Sequence, residues 1–79
     1  MKLWLGNIDR ETTDDELREL VGKYAKLEVS GITRETGDGS RPGAVLEFAE
    51  GDRDALYALE RRLNGLYWKN RSLSAHVPL

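Results

Sequence analysis

The sequence predicts an α+β domain with the element order βαββαβ, in which two helices cover one face of a four-stranded antiparallel sheet. The chain has 79 residues, enough for one hydrophobic core and too few for two. Four short segments alternate apolar and polar residues, as strands with one buried face do, and two longer segments carry apolar residues at helical spacing. We therefore treat residues 1–79 as a single domain.

An alternating run and a capping motif mark the first strand and the first helix. The run before the first polar turn favours a strand with one buried face, and its apolar residues are Leu3, Leu5 and Ile8. Thr13 and Glu16 fit a capping box, in which the threonine side chain accepts from the backbone amide of Glu16 and the glutamate reaches back to Thr13. The helix that begins there has one apolar face, formed by Leu17, Leu20, Val21 and Tyr24.

The middle of the chain predicts two strands joined by a loop. Residues 27–33 are rich in strand-forming residues, but their alternation shifts around Gly31, which predicts a bulge or an edge strand and leaves the register open. Residues 34–40 hold two glycines among polar residues and predict a loop. The third strand has Ala44, Leu46 and Phe48 on one face and Gly43, Val45 and Glu47 on the other.

A second helix and a last strand complete the predicted order. The helix opens within residues 51–54 and ends at Gly65, and its apolar stripe is formed by Ala55, Leu56, Leu59 and Leu63. The last strand ends at Pro78 and alternates Leu73, Ala75 and Val77 with Ser72, Ser74 and His76. These elements fit the ferredoxin-like split βαβ arrangement, which leaves one sheet face uncovered for function.

Composition excludes several classes of function. The chain has no cysteine and one histidine, which excludes a disulfide, a thiolate metal site and a histidine cluster, so we expect no metal and no cofactor. With 12 Lys and Arg against 14 Asp and Glu the formal charge is -2, so any nucleic-acid binding must be local. The sequence shows no converging nucleophile, base and orienting group, which predicts a protein that is not an enzyme.

The amino terminus favours an intracellular protein. It lacks the long hydrophobic region of a secretory signal, and the longest apolar run is too short to cross a membrane. We expect a cytoplasmic or otherwise intracellular location and no membrane partner. Met1 directly precedes the first strand, which favours a free-standing protein over an excised domain.

Four segments resemble the RNA recognition motif (RRM) family, and the resemblance extends over essentially the whole chain. Residues 3–8 (LWLGNI) are similar to the RNP2 hexamer, with tryptophan in the place of the usual phenylalanine or tyrosine. Residues 34–37 match a frequent start of the loop between the second and third strands. Residues 63–65 and 71–73 match the exit from the second helix and the entry to the last strand. Asn70 stands where glycine is usual, and asparagine tolerates the left-handed backbone of that turn.

The fourth segment, residues 41–48 (RPGAVLEF), resembles the RNP1 octamer of this family only in part. The residues that fit are Arg41, Ala44, Leu46 and Phe48, and those that do not are Pro42, Gly43 and Val45. In the family, the two missing aromatic residues point from the sheet towards RNA. The resemblance thus implies an intact fold and a binding surface that lacks two of its usual stacking platforms.

The resemblance implies a module that binds single-stranded RNA through the open sheet face. Trp4 remains as the main stacking platform, and base stacking on an aromatic ring contributes roughly 1–3 kcal/mol per base. We expect Lys2, Lys69 and Arg71 to form a basic rim beside Trp4, and affinity to be weak and salt-sensitive. The full set of candidate RNA-binding residues is Lys2, Trp4, Asn7, Arg41, Gly43, Val45, Lys69, Arg71 and His76.

Alternatives remain open for several of these residues. The alternative for Trp4 is that it packs under the carboxyl-terminal tail or a loop. The alternative for the basic residues and His76 is that they are ordinary solvated side chains. Trp68, as a hairpin or core anchor, and Tyr24, at the end of the apolar stripe of the first helix, are assigned to structure, and Tyr67 is assigned to the surface. The alternative function is a protein-interaction module, or a homodimer, that uses the same sheet face.

Overall fold

The computed structural model describes residues 1–35, 42–49 and 51–78. The elements in chain order are β1 Lys2–Gly6, α1 Asp14–Tyr24, β2 Val29–Glu35, β3 Gly43–Phe48, α2 Arg53–Leu63, β4 Tyr67–Trp68, β5 Arg71–Ser72 and β6 Ser74–His76. Four strands form one antiparallel sheet in the order β2-β3-β1-β6, which confirms the ferredoxin-like βαββαβ fold. The remaining two strands, β4 and β5, pair as a small hairpin that the sequence analysis did not separate from the last strand.

The break between β5 and β6 falls at Leu73. Its side chain is buried, while its backbone bonds to the segment that follows α2: the Leu73 amide donates to the Leu66 carbonyl at 2.8 Å, and its carbonyl accepts from the Gly65 amide at 2.7 Å. Gly65 has a φ of 85°, the left-handed conformation that glycine adopts easily after a helix end. The predicted end of the second helix at Gly65 is thus explained by the backbone.

The hydrophobic core lies between the two helices and the inner face of the sheet. Tyr24 and Trp68 are half-buried and pack against its edge, as predicted, whereas Tyr67 is 71% exposed. The buried apolar residues are Leu3, Leu5, Ile8, Leu17, Leu20, Val21, Val29, Ala44, Leu46, Phe48, Leu56, Leu59, Leu63, Leu73, Ala75 and Val77. All the inward residues predicted for the strands are in this set.

Strand β2 carries the irregularity that its sequence predicts. The register shifts between Val29 and Gly31, so Ser30 has no partner residue on β3. The Ser30 hydroxyl donates to the Glu47 carbonyl at 3.2 Å. Beyond this bulge the register is regular to Glu35, which places alternate residues of β2 on the outer sheet face.

The amino end of α1 is a capping box, as predicted. The Glu16 amide donates to the Thr13 hydroxyl at 3.2 Å, and the Glu16 carboxylate accepts from the Thr13 amide at 2.9 Å. Lys69 of the hairpin forms an ion pair with the same carboxylate. The pKa of Glu16 is lowered from its ordinary value of 4.5, first by the hydrogen bond from Lys69 and then by the one from the Thr13 backbone.

We expect the free energy of unfolding to depend on pH through Glu16. A carboxyl whose pKa is lower in the folded protein stabilises the fold fully above its unfolded pKa, and this contribution is lost as pH falls through the folded pKa. The stability difference between the protein and Glu16→Gln should therefore be largest at neutral pH and shrink below pH 4.5, as urea denaturation at a series of pH values measures. Glu19→Gln removes an equal charge from the same helix, and an identical trend in that variant would contradict the assignment.

A buried hydroxyl next to this cap offers a second test. Thr12 is 5% exposed, and its Oγ1 has no hydrogen-bond partner among the described residues. Valine has nearly the same shape and lacks the hydroxyl, so Thr12→Val should raise the free energy of unfolding by about 1 kcal/mol. Thr13→Val is the matched control, because it removes the cap and should lower that energy by about 1 kcal/mol. Loss of stability in Thr12→Val, measured by urea denaturation, would show that the hydroxyl is satisfied.

Candidate nucleic-acid interface

The outer face of the sheet, opposite the helices, is called the open face below. Antiparallel pairing aligns its residues in three rows that run across the strands from β2 towards β6. The upper row is Gly31, Glu47 and Lys2; the middle row is Thr33, Val45, Trp4 and His76; the lower row is Glu35, Gly43, Gly6 and Ser74. The outward positions predicted for the first, third and last strands are therefore found on one surface, except Ser72, which belongs to β5 and pairs with Tyr67.

The indole of Trp4 lies across the lower row. A Cβ atom placed on Gly6 would come within 2.8 Å of the ring atoms Cζ2 and Cζ3, and one placed on Gly43 would come within 3.3 Å of Nε1. The half-buried ring is therefore seated on two glycines that have no side chain to displace it, and it does not join the core. Gly43, one of the candidate RNA-binding residues, is not accessible to a base in this conformation, because the indole fills the space above it.

The predicted basic rim of Lys2, Lys69 and Arg71 does not form. Lys2 lies on the open face and pairs with Glu47 at 3.6 Å. Lys69 instead pairs with Glu16 of α1 and lies 5.6 Å from the centroid of the Trp68 ring, which places it on the helical side of the sheet. The prediction is wrong for Lys69 because the tight hairpin turns its side chain towards α1.

Asn7 and Arg71 join the end of β1 to the hairpin. Asn7 has a φ of 60°, and its side-chain amide donates to the Ser72 carbonyl at 2.9 Å. Its side-chain oxygen accepts from Nη1 of Arg71 at 3.1 Å. Lys69 and Asn70, the two turn residues, have φ values of 52° and 65°, as a two-residue hairpin of the primed type requires. The prediction that Asn70 adopts a left-handed backbone is confirmed.

His76 lies opposite Trp4 on β6 and is exposed, with its Nδ1 3.9 Å from Oε2 of Glu60. The same Glu60 oxygen accepts from the Val77 amide at 2.6 Å. One turn further along α2, Asn64 accepts from the Ala75 amide at 3.1 Å. A polar side chain of α2 and that of its C-cap residue thus cover the outer edge of β6, a role that helical spacing alone did not reveal.

The remaining candidates divide between the open face and the undescribed part of the chain. Val45 is half-buried beside Trp4. Arg41 lies outside the described residues, as does most of the predicted loop at residues 34–40. Arg34 is part of β2, where it donates to the Asp14 carboxylate at 2.7 Å and to the Thr12 carbonyl at 2.8 Å. Sequence reasoning missed Glu35 on the open face, because it left the register of β2 open and placed this residue in the loop.

A groove of about 780 Å³ lies on the helical side, between α1 and the β4–β5 hairpin. It is lined by Glu16, Glu19, Leu20, Gly22, Lys23, Tyr24, Leu66, Tyr67, Trp68 and Lys69. Within residues 1–35, 42–49 and 51–78, no cluster of three or more metal-ligating side chains occurs. In the same residues, neither helix is long and apolar enough to cross a membrane.

Comparisons with known structures find this fold repeatedly. The Pes4 RRM3 structure has a TM-score of 0.79 at 13% identity, over 99% of this chain and 90% of the other. The structure of Rna15 RRM with bound RNA (GU) has a TM-score of 0.74 at 21% identity, over 98% and 81%. The structure of the N-terminal three RNA-binding domains of the yeast splicing factor Prp24 has a TM-score of 0.76 at 22% identity. The alignment covers 99% of this chain and 30% of that chain.

Sequence comparison with curated proteins gives no match. The family model for the RNA recognition motif matches residues 3–74, which include all eight structural elements except the first residue of β1 and the last two residues of β6. The match therefore covers nearly the whole sheet and both helices. On this evidence, the chain belongs to the RNA recognition motif family.

Proposed function

We propose that the open face of this domain binds single-stranded RNA, with Trp4 as the main stacking platform. Family membership implies the capability to bind RNA. The observation that carries the finer proposal is the seating of the indole on Gly6 and Gly43, which supports one face of the ring and directs the other away from the sheet. The similar Rna15 RRM with bound RNA supports the ligand class.

Stacking on a single platform predicts a weak contact that by itself does not discriminate between bases. Every base has a π-face, and stacking on one aromatic side chain contributes roughly 1–3 kcal/mol. Val45 and His76 flank Trp4 in the middle row and would extend the contact to the sugar or a neighbouring base. The formal charge of -2 and the Lys2–Glu47 pair leave little attraction for phosphate, so affinity should be modest and fall with salt.

Asn7 and Arg71 are proposed as contacts at the lower end of the open face. Among the described residues, the Arg71 guanidinium donates one hydrogen bond, to Asn7; a guanidinium carries five N–H donors, so it retains donors for a phosphate or base. Lys69 is left out of the proposed site, because its partners lie on the helical side. We propose no enzymatic activity for this surface, since stacking requires no catalytic group.

NMR shift mapping with a random pool of short single-stranded RNA tests this proposal. Isotope-labelled protein should show shifts that cluster at Trp4, Val45 and His76, including the indole N–H of Trp4. Residues of the helical groove, such as Tyr67 and Lys23, should not shift. Shifts that cluster in the groove, or a spectrum unchanged by RNA, would refute the proposed site.

The second candidate function is a protein-interaction surface. Trp4 and Val45 are directly opposite each other on β1 and β3, which makes an apolar centre with a polar surround. Under this alternative, adding RNA causes no chemical-shift changes in the NMR spectrum. A self-association of the same patch would increase the molar mass in light scattering as concentration rises, and a constant monomer mass would leave a separate protein as the partner.

A further inference from the structure

The lower row of the open face carries a carboxylate next to the Trp4 indole. Glu35 is the partner of Gly43 across the β2–β3 pairing, and Gly43 lies beneath the Nε1 side of the indole. Neighbouring strands are about 4.8 Å apart, so the Glu35 backbone lies one strand spacing from Gly43, above which the pyrrole side of the indole lies. Glu35 is exposed, so its side chain is accessible to a ligand that lies on the ring.

The other polar side chains around the ring differ from Glu35 in reach or in availability. Thr33 and Ser74 are shorter, so their hydroxyls stay closer to the sheet than a ligand stacked on the indole. Glu47 lies in the upper row and pairs with Lys2 at 3.6 Å. In the described part of the chain, by contrast, the Glu35 carboxylate has no hydrogen-bond or ion-pair partner. Glu35 is therefore a long acceptor that remains available beside the platform.

We propose that Glu35 is a specificity-determining residue that makes the Trp4 platform prefer guanine. This inference rests on the proposed RNA-binding function. An ionised carboxylate only accepts hydrogen bonds, and it binds most strongly to two parallel donors. The Watson–Crick edge of guanine presents such a pair, the N1–H and the N2 amine.

The other bases fit this carboxylate less well. Cytosine and adenine each present one exocyclic amine beside a ring nitrogen that is itself an acceptor. Uracil presents one N–H between two carbonyl oxygens, which the negative charge of Glu35 repels. The expected order of affinity is guanine first, cytosine and adenine next, and uracil last.

Fluorescence anisotropy with labelled uridine oligonucleotides tests the two ends of this order, guanine and uracil. Each oligonucleotide carries one central guanosine, inosine or uridine; inosine keeps N1–H and lacks the N2 amine. The guanosine oligonucleotide should bind about tenfold more tightly than the all-uridine one, with inosine between them. In Glu35→Gln this ratio should fall towards one, whereas Glu19→Gln, which removes an equal charge from the helical side, should leave it unchanged. Circular dichroism confirms that both variants are folded.

The outcomes separate this inference from the proposed function. Equal affinity for all three oligonucleotides, lost in Trp4→Ala, would overturn the role of Glu35 while the platform stands. A guanosine preference that survives in Glu35→Gln would likewise overturn it. No binding of any oligonucleotide would remove the proposed function and this inference together. A preference that disappears in Glu35→Gln alone supports both.

Discussion

Replacing Trp4 with alanine is expected to remove most of the RNA affinity of this domain. The indole is the large aromatic ring of the open face, and losing a stacking platform costs about 1–3 kcal/mol, or roughly five- to 150-fold in Kd. The fold should persist, because the indole lies on two glycines of the outer face and is not part of the core. Titration of labelled single-stranded RNA measures the loss, and thermal unfolding checks the fold.

Tyr67→Ala is the matched control for this experiment. It also removes an exposed aromatic ring, 71% accessible, but from the hairpin on the helical side. Its RNA affinity should equal that of the unchanged protein, and Trp4→Phe should retain part of the stacking. If Trp4→Ala and Tyr67→Ala bind RNA equally well, the platform is not Trp4.

Replacing Leu46 with alanine is expected to have a large effect on stability. Leu46 is fully buried at the centre of β3, where it lies between Leu3 of β1 and Ile32 of β2. Truncation removes buried methyl groups and leaves a cavity, which should lower the free energy of unfolding by about 2–5 kcal/mol. Urea denaturation measures this change, since the midpoint should fall while the slope stays constant.

Val45→Ala provides the contrast from the adjacent position. Val45 is half-buried on the open face, so its truncation should cost less than about 1 kcal/mol of stability. The same substitution should weaken RNA binding, whereas Leu46→Ala should not do so under conditions where it remains folded. Equal destabilisation by the two variants would contradict the separation of β3 into an inner and an outer face.

Local patterns predicted the elements well because they depend on neighbouring residues. The capping box of Thr13 and Glu16 lies within one helical turn, and the bulge near Gly31 follows from a shift in alternation along one strand. The side chain of Lys69 is different. Its direction depends on a turn in which two residues have positive φ, and this geometry turns it away from the face where charge alone had placed it.

The meaning of Gly43 also required the three-dimensional register. Compared with the family pattern, Gly43 is a missing aromatic residue. In the folded sheet it lies beside Gly6, and together they provide the space in which the indole of Trp4 lies. Which glycines on separate strands become neighbours depends on pairing between strands, and a single sequence does not contain that information directly. The same applies to Glu35, whose place beside the ring follows from the pairing of β2 with β3.

The covering of β6 by Glu60 and Asn64 limits how copies of this domain can assemble. Sheets whose two edge strands both expose unpaired backbone N–H and C=O groups can add further molecules at each edge and grow into fibres. Here the amides of Ala75 and Val77 are already occupied, and β2 forms the opposite edge of the four-stranded sheet. Two molecules joined through β2 would each present an occupied β6 outwards, so this kind of association ends at a pair.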